Sequence, residues 1–105
     1  MTEAMYQGKL IKKLKQRFPG CVVLKNDPQY QQGILDLTLL WGWFWAMLEV
    51  KVSPEASERP NQRYFVEQLD EMSFAAFIFP ENEEEVLFAL QEAFASRGAT
   101  CLSQS

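Results

Sequence analysis

Apolar residues in the first part of the chain recur at the spacing of an amphipathic helix. Thr2 is a suitable N-cap, and the helix runs to about Arg17, before the breaker sequence Phe18-Pro19-Gly20. Its lysines lie opposite the apolar stripe. Glu3 falls in the same angular sector as Leu10, so the pattern predicts a carboxylate on the inward stripe, where it needs a partner.

Short apolar segments in the next part of the chain predict three β-strands. They are Cys21–Leu24, Ile34–Trp41 and Phe44–Val52, with a loop from Asn26 between the first two. Gly42-Trp43 separates the second segment from the third. A Gly-X pair fits a two-residue type II′ turn, so these two strands are predicted to form a hairpin.

The second half of the chain predicts a helix, a strand and a helix. Their bounds are Ser57 or Pro60 to about Met72, Ala75–Phe79, and Asn82 to Gly98. The predicted order is α-β-β-β-α-β-α, an α/β fold whose mixed central sheet is covered on both faces by helices. The strand-helix-strand passage predicts that the last two strands are parallel. A chain of 105 residues has room for one domain, placed at 1–98 and followed by a flexible tail at 99–105.

Composition narrows the possible chemistry. The chain is 48% hydrophobic and has no histidine and two cysteines, which predicts a folded core and excludes most zinc sites. Any catalysis therefore has to use carboxylates, lysine or a metal ion. No apolar run approaches the roughly 20 residues of a membrane helix, and the N-terminus lacks a secretion signal. We expect a cytoplasmic protein.

The hairpin register brings two acidic residues together. If Gly42 and Trp43 are the turn residues, Asp36 lies opposite Glu49, and Ile34 lies opposite Lys51. Opposed carboxylates repel, and a divalent cation such as Mg²⁺ or Mn²⁺ is the natural compensation. The alternative is a half-exposed sheet face with ordinary polar residues. Glu3 and Gln62 also interrupt apolar faces, which favours one shared polar pocket.

These residues together are similar to a known motif. Glu3, Gly33-Ile34-Leu35-Asp36, Glu49-Val50-Lys51 and Arg59-Pro60-Asn61-Gln62 resemble the PD-(D/E)XK nucleases. The resemblance is closest to the small stand-alone VRR-NUC type, which is often found in phages and is related to Holliday junction resolvases. If the protein is viral, as this type implies, we expect it in the host cytoplasm. It spans Glu3 to Phe79. Leu35 stands where the family usually has proline.

The resemblance implies a restriction-endonuclease-like core and a metal-dependent DNA endonuclease. The implied catalytic residues are Glu3, Asp36, Glu49, Lys51 and Gln62. Asp36, Glu49 and the Val50 carbonyl would bind Mg²⁺ or Mn²⁺. Glu3 would complete the acidic cluster by binding a second metal or a metal-bound water. Lys51 would position or activate the attacking water, and Gln62 would orient the lysine or a phosphate contact. Structure-selective cleavage of branched DNA and nicking both stay open.

Charge and aromatic residues suggest the partners. Residues 1–26 carry six basic side chains against one acidic, whereas residues 67–105 carry eight acidic against one basic. The candidate DNA contacts are Lys9, Lys12, Lys13, Lys15, Arg59 and Arg63, with the acidic third helix facing away. Aromatic residues at the hairpin tip, at 41 and 43–45, suggest a homodimer. The alternatives are a catalytically inactive nucleic-acid-binding or assembly module with this fold, and an unrelated α/β interaction protein.

Overall fold

The computed structural model describes residues 1–58 and 61–103, and the side chains among them up to residue 96. The elements follow the predicted order: α1 Glu3–Arg17, β1 Val22–Lys25, β2 Leu37–Trp41, β3 Phe44–Val50, α2 Gln62–Met72, β4 Ala75–Ile78 and α3 Glu83–Ser103. The predicted α/β class with a four-stranded mixed sheet and three helices is confirmed. No helix within the described part of the chain is long and apolar enough to cross a membrane.

The four strands form one sheet in the order β1-β2-β3-β4. β1 and β3 are each antiparallel to β2, and β4 is parallel to β3, as the strand-helix-strand passage predicts. Trp41 pairs with Phe44, so the hairpin turn is Gly42-Trp43. Gly42 has a φ of 64° and, among the described non-glycine residues, only Asn61 has a positive φ. This combination fits the predicted type II′ turn.

The sheet separates two unequal helical layers. α1 and α3 cover one face together, and their apolar side chains share a core cluster with Leu37, Leu39 and Leu48. α2 covers part of the other face, where Val66 packs with Ala75 and partly buried Met47. Because side chains alternate along a strand, the residues of β3 that face α2 are the odd-numbered ones, including position 49.

Two predicted helix bounds are wrong. α2 begins at Gln62 rather than at Ser57 or Pro60, since Asn61 precedes it with a left-handed φ of 69°; Pro60 lies outside the described residues. α3 continues past Gly98 to Ser103. A glycine inside a helix costs about 1 kcal/mol relative to alanine, and neighbouring helix-forming residues can offset this cost.

The strands around the candidate site are shorter than predicted. β2 begins at Leu37, so the predicted pairing of Ile34 with Lys51 is wrong. The backbone N–H of Ile34 donates to Gln31 O at 3.2 Å, which keeps this residue in the preceding turn. β3 ends at Val50, and Lys51 is the first residue after it.

Candidate active site

Asp36 and Glu49 are joined where the β2–β3 ladder ends. The backbone N–H of Asp36 donates to Glu49 Oε1 at 3.2 Å, and the backbone N–H of Val50 donates to Asp36 Oδ2 at 2.9 Å. Each carboxylate accepts a backbone donor of the neighbouring segment, as a carbonyl group does in a regular ladder. The last ladder pair is Leu37 with Leu48, so the predicted hairpin register is confirmed up to the residues beside Asp36 and Glu49.

Asn26 fixes the backbone that carries Asp36. Its Nδ2 donates to Leu35 O at 2.8 Å and to Thr38 Oγ1 at 2.9 Å, and its N–H donates to Asp36 O at 2.8 Å. The sequence pattern predicts only a loop at Asn26. The signal that identifies it is Thr38, a hydroxyl on an apolar strand that needs a partner when it is buried.

Gln62 links Glu49 to Lys51. Its Nε2 donates to Glu49 Oε2 at 2.5 Å, and its Oε1 accepts a hydrogen bond from Lys51 Nζ at 3.2 Å. Gln62 is the first residue of α2 and is fully buried against the sheet. The amide group has a donor end and an acceptor end, so one side chain satisfies a carboxylate and an ammonium group at once.

Lys51 reaches the same cluster from the end of β3. Its Nζ donates to Ser57 O at 2.9 Å and lies 3.4 Å from Glu49 Oε2. Glu49 is 1% and Lys51 6% exposed. Ser57 was predicted only as a possible helix start, and its carbonyl instead orients the lysine.

Asp36, Glu49, Lys51 and Gln62 form what we call the site cluster. It carries two carboxylates and one ammonium group, so these four side chains sum to one negative charge when all three ionisable groups are charged. Charges removed from water need pairing or hydrogen bonds, and the contacts above supply both for Glu49 and Lys51. Asp36 is partly exposed, which leaves the cluster open to solvent on its side.

The donor chemistry of the site cluster fits a magnesium or manganese ion. Mg²⁺ is bound in proteins by one or two carboxylates and keeps several water or phosphate ligands. Asp36 and Glu49 supply that pair. Within the described part of the chain, no three acidic, cysteine or histidine side chains converge. The group of Val50 in contact with Asp36 is its N–H, and its carbonyl as a metal ligand stays a prediction.

Glu3 does not lie on a buried stripe, so its predicted inward orientation is wrong. Residues 1–5 are all exposed, and burial along α1 begins at Tyr6 and continues through Leu10 and Leu14. The first turn of the helix therefore extends beyond the layer that covers the later turns. α1 also packs on the face of the sheet opposite α2, whose Gln62 belongs to the site cluster. A direct or water-mediated role for Glu3 at a metal remains only a prediction.

The basic candidates are divided between the two layers. Lys9, Lys12, Lys13 and Lys15 are exposed on α1. Lys13 pairs with Glu83 at 2.6 Å, so the acidic α3 lies beside α1. That α3 faces away from bound DNA stays a prediction. Arg63 is exposed on α2, one residue after Gln62, and the hydrogen bond and charge of Glu58 raise the pKa of its guanidinium group. Arg59 lies outside the described residues.

The aromatic hairpin tip is part core and part surface. Trp41 packs edge to face on Phe18 and Phe94, and its Nε1 donates to Pro19 O at 2.9 Å. Phe44 packs on Phe94 in the same cluster. Trp43 is 79% exposed. The surface available to a partner at the tip is therefore smaller than the sequence suggests.

Comparison with known proteins yields no relative of this chain. No family model, no curated protein and no solved structure matches it.

Proposed function

We propose that the protein is a metal-dependent DNA endonuclease with a restriction-endonuclease-like core, of the PD-(D/E)XK class. The observation that carries this proposal is the hydrogen-bonded series Glu49–Gln62–Lys51, buried beside Asp36 where β2 meets β3. Burying Lys51 beside the buried carboxylate of Glu49 carries a desolvation cost that their attraction has to offset. The arrangement is useful when a divalent cation and a phosphate group share the site.

The side chains of the site cluster divide the work. Asp36 and Glu49 would hold Mg²⁺ or Mn²⁺, and the ion, when bound, polarises a phosphoryl oxygen and lowers the pKa of a coordinated water. Lys51 supplies an ammonium group that stabilises negative charge on the scissile phosphate and orients the water. Gln62 is a positioning residue that holds Lys51 toward Glu49. Hydrolysis of the phosphodiester would leave a 5′-phosphate and a 3′-hydroxyl.

DNA contacts are assigned to the exposed cations. Arg63 is nearest to the site cluster in sequence and on the same helix as Gln62, so we assign it a phosphate contact close to the cleavage point. Lys9, Lys12 and Lys15 on α1 would contact phosphates further along the duplex. Contacts of this kind give salt-dependent affinity with little sequence preference.

We assign the exposed apolar face of β1 and β2 to a second copy of the chain. Val22, Leu24 and Leu40 are between 40% and 49% exposed on the face of the sheet that α2 only partly covers. β1 is also an edge strand, and a symmetric dimer would suit a two-fold branched DNA. Analytical ultracentrifugation tests this assignment: the wild type should sediment as a dimer and Leu24→Lys as a monomer. A monomeric wild type at every concentration contradicts it.

A catalytically inactive nucleic-acid-binding or assembly module is the second candidate function. The specific observation in its favour is that Lys51 Nζ already has three oxygen partners, namely Ser57 O, Gln62 Oε1 and Glu49 Oε2. An ammonium group has three donors, so this arrangement can serve stability alone.

Cleavage assays separate the two functions. Supercoiled plasmid, linear duplex and a four-way junction would be incubated with wild-type protein in Mg²⁺ or Mn²⁺, with EDTA and with Lys51→Ala as controls. If the protein is an endonuclease, the wild type should cleave in Mg²⁺ or Mn²⁺, and neither the wild type in EDTA nor Lys51→Ala should cleave. Binding without cleavage on all three substrates supports the inactive module.

A further inference from the structure

A small cavity of about 260 Å³ adjoins the site cluster on the side of β4. Lys51 lines both the cavity and the cluster. The other residues used below are Ser53, Glu58, Arg63, Phe77 and Phe79. This volume is just below the range of about 300–1,000 Å³ that is typical of small-molecule sites, so it suits a single ring system better than a whole nucleotide.

Two phenyl rings lie at the end of β4, beside the site cluster. Phe77 is the ladder partner of Glu49, and the N–H of Lys51 donates to Ile78 O at 2.9 Å. Phe77 therefore lies on the face of the sheet that carries Glu49, and Phe79, the first residue after β4, lines the same cavity. Both rings are partly exposed. They offer an aromatic surface within one strand spacing of the residues assigned to the scissile phosphate.

An ion pair of Arg63 and Glu58 lines the cavity beside Phe77. The guanidinium carbon of Arg63 lies 5.1 Å above the centroid of the Phe77 ring, and Glu58 pairs with Arg63 Nη2. A cation stacked on one phenyl ring, with a second phenyl ring in the same cavity, is a combination that can bind a nucleobase together with its phosphate. Ser53 adds a hydroxyl group to the lining.

We infer that this cavity receives one unpaired nucleobase of a DNA strand, next to the phosphate positioned at Lys51. The inference rests on the proposed function for its substrate class and narrows it. A base inside a duplex is paired and stacked on both sides, so it cannot enter the cavity without being unpaired. The preferred substrate is therefore a single-stranded segment or a flap or junction with an unpaired nucleotide at the cleavage point.

Binding without cleavage tests the inference. Fluorescence anisotropy in EDTA would measure the affinity of the wild-type protein for labelled oligothymidine and for a blunt duplex. Phe79→Leu removes the ring but keeps a large apolar side chain. Phe79→Ala removes almost the whole side chain. Phe88→Leu is the matched control, because Phe88 is 59% exposed on α3 and lies in the opposite helical layer.

We expect the wild type to bind oligothymidine more tightly than the duplex. Both Phe79 variants should weaken oligothymidine binding by about tenfold and leave duplex binding unchanged, since one stacked base is lost. Phe88→Leu should bind as the wild type does. Equal binding of oligothymidine by wild type and Phe79→Leu, or the absence of oligothymidine binding, overturns the inference.

The cleavage assays distinguish this result from failure of the proposed function. If the wild type cleaves DNA but Phe79→Leu binds oligothymidine normally, the cavity does not receive a nucleobase and the endonuclease proposal is supported. If the Phe79 variants weaken oligothymidine binding but no cation supports cleavage, the nucleobase-binding cavity is supported and the endonuclease proposal is wrong.

Discussion

Gln62 Nε2 donates to Glu49 Oε2 at 2.5 Å, at a position where both side chains are excluded from solvent. This contact couples the start of α2 to the end of β3. Because the other end of the amide group accepts from Lys51, the position of the lysine depends on α2 as well as on its own strand.

Replacing Gln62 should lower the stability of the fold. Gln62→Leu removes the donor to Glu49 and the acceptor to Lys51 and leaves buried charged groups with fewer partners. We expect a loss of about 1–3 kcal/mol in the free energy of unfolding, measured by urea denaturation. Gln16→Leu, at an exposed position on α1, is the control and should change stability by less than about 0.5 kcal/mol. Equal stabilities of the two variants would contradict the bridging role.

Divalent cations should stabilise the folded protein. A ligand that binds only the native state raises the melting temperature, and Mn²⁺ held by Asp36 and Glu49 would act in this way. We expect a shift in the wild type that Asp36→Asn abolishes and Glu92→Gln, at an exposed position on α3, preserves. Differential scanning fluorimetry with and without Mn²⁺ measures it. An unchanged shift in Asp36→Asn would place the ion elsewhere.

Gly33 and Gly20 form a matched pair. Both have a positive φ, of 86° and 87°, but a Cβ at Gly33 would lie 2.9 Å from Phe65 Cδ2, whereas nothing lies within 4 Å at Gly20. Alanine costs about 1–2 kcal/mol at either position from its backbone alone. Gly33→Ala should cost more, because it displaces Phe65 on the helix that carries Gln62. Equal losses in thermal or urea unfolding would show that the contact is unimportant.

The hydroxyl of Tyr6 should make stability sensitive to alkaline pH. Its burial, with the hydrogen bond to Glu83 and the charge of that carboxylate, raises the pKa of the Tyr6 hydroxyl well above its ordinary value of about 10. The unfolded chain releases this proton at a lower pH than the folded chain does. The stability that the hydroxyl contributes is thus present below pH 10 and is lost as the pH rises above it.

The comparison of wild type with Tyr6→Phe measures this effect. The difference in their free energies of unfolding should shrink between about pH 9 and about pH 11. Tyr30→Phe is the control, because Tyr30 is 91% exposed, and its difference from the wild type should stay constant. A constant difference for Tyr6→Phe as well would show that Glu83 does not hold the hydroxyl protonated.

Local patterns predict most of the fold because they depend on nearby residues. The Gly42-Trp43 turn fixes the hairpin register, and the register brings Asp36 to Glu49. The inward face of α2 likewise identifies Gln62. Glu3 was misplaced because helical periodicity gives a direction around the axis and does not show how far along the helix the neighbouring layer extends. The contacts of Asn26 and Ser57 depend on loop conformation, which has no periodic signal.

The single-turnover rate at which the protein cleaves a four-way junction in Mn²⁺ decides whether it is a metal-dependent endonuclease. We predict that the wild type cleaves, that EDTA stops the reaction, and that Lys51→Met and Glu49→Gln each lower the rate by at least about 100-fold. Circular dichroism of each variant would verify that it is folded. A wild-type protein that cleaves no faster than folded Lys51→Met is not the proposed endonuclease.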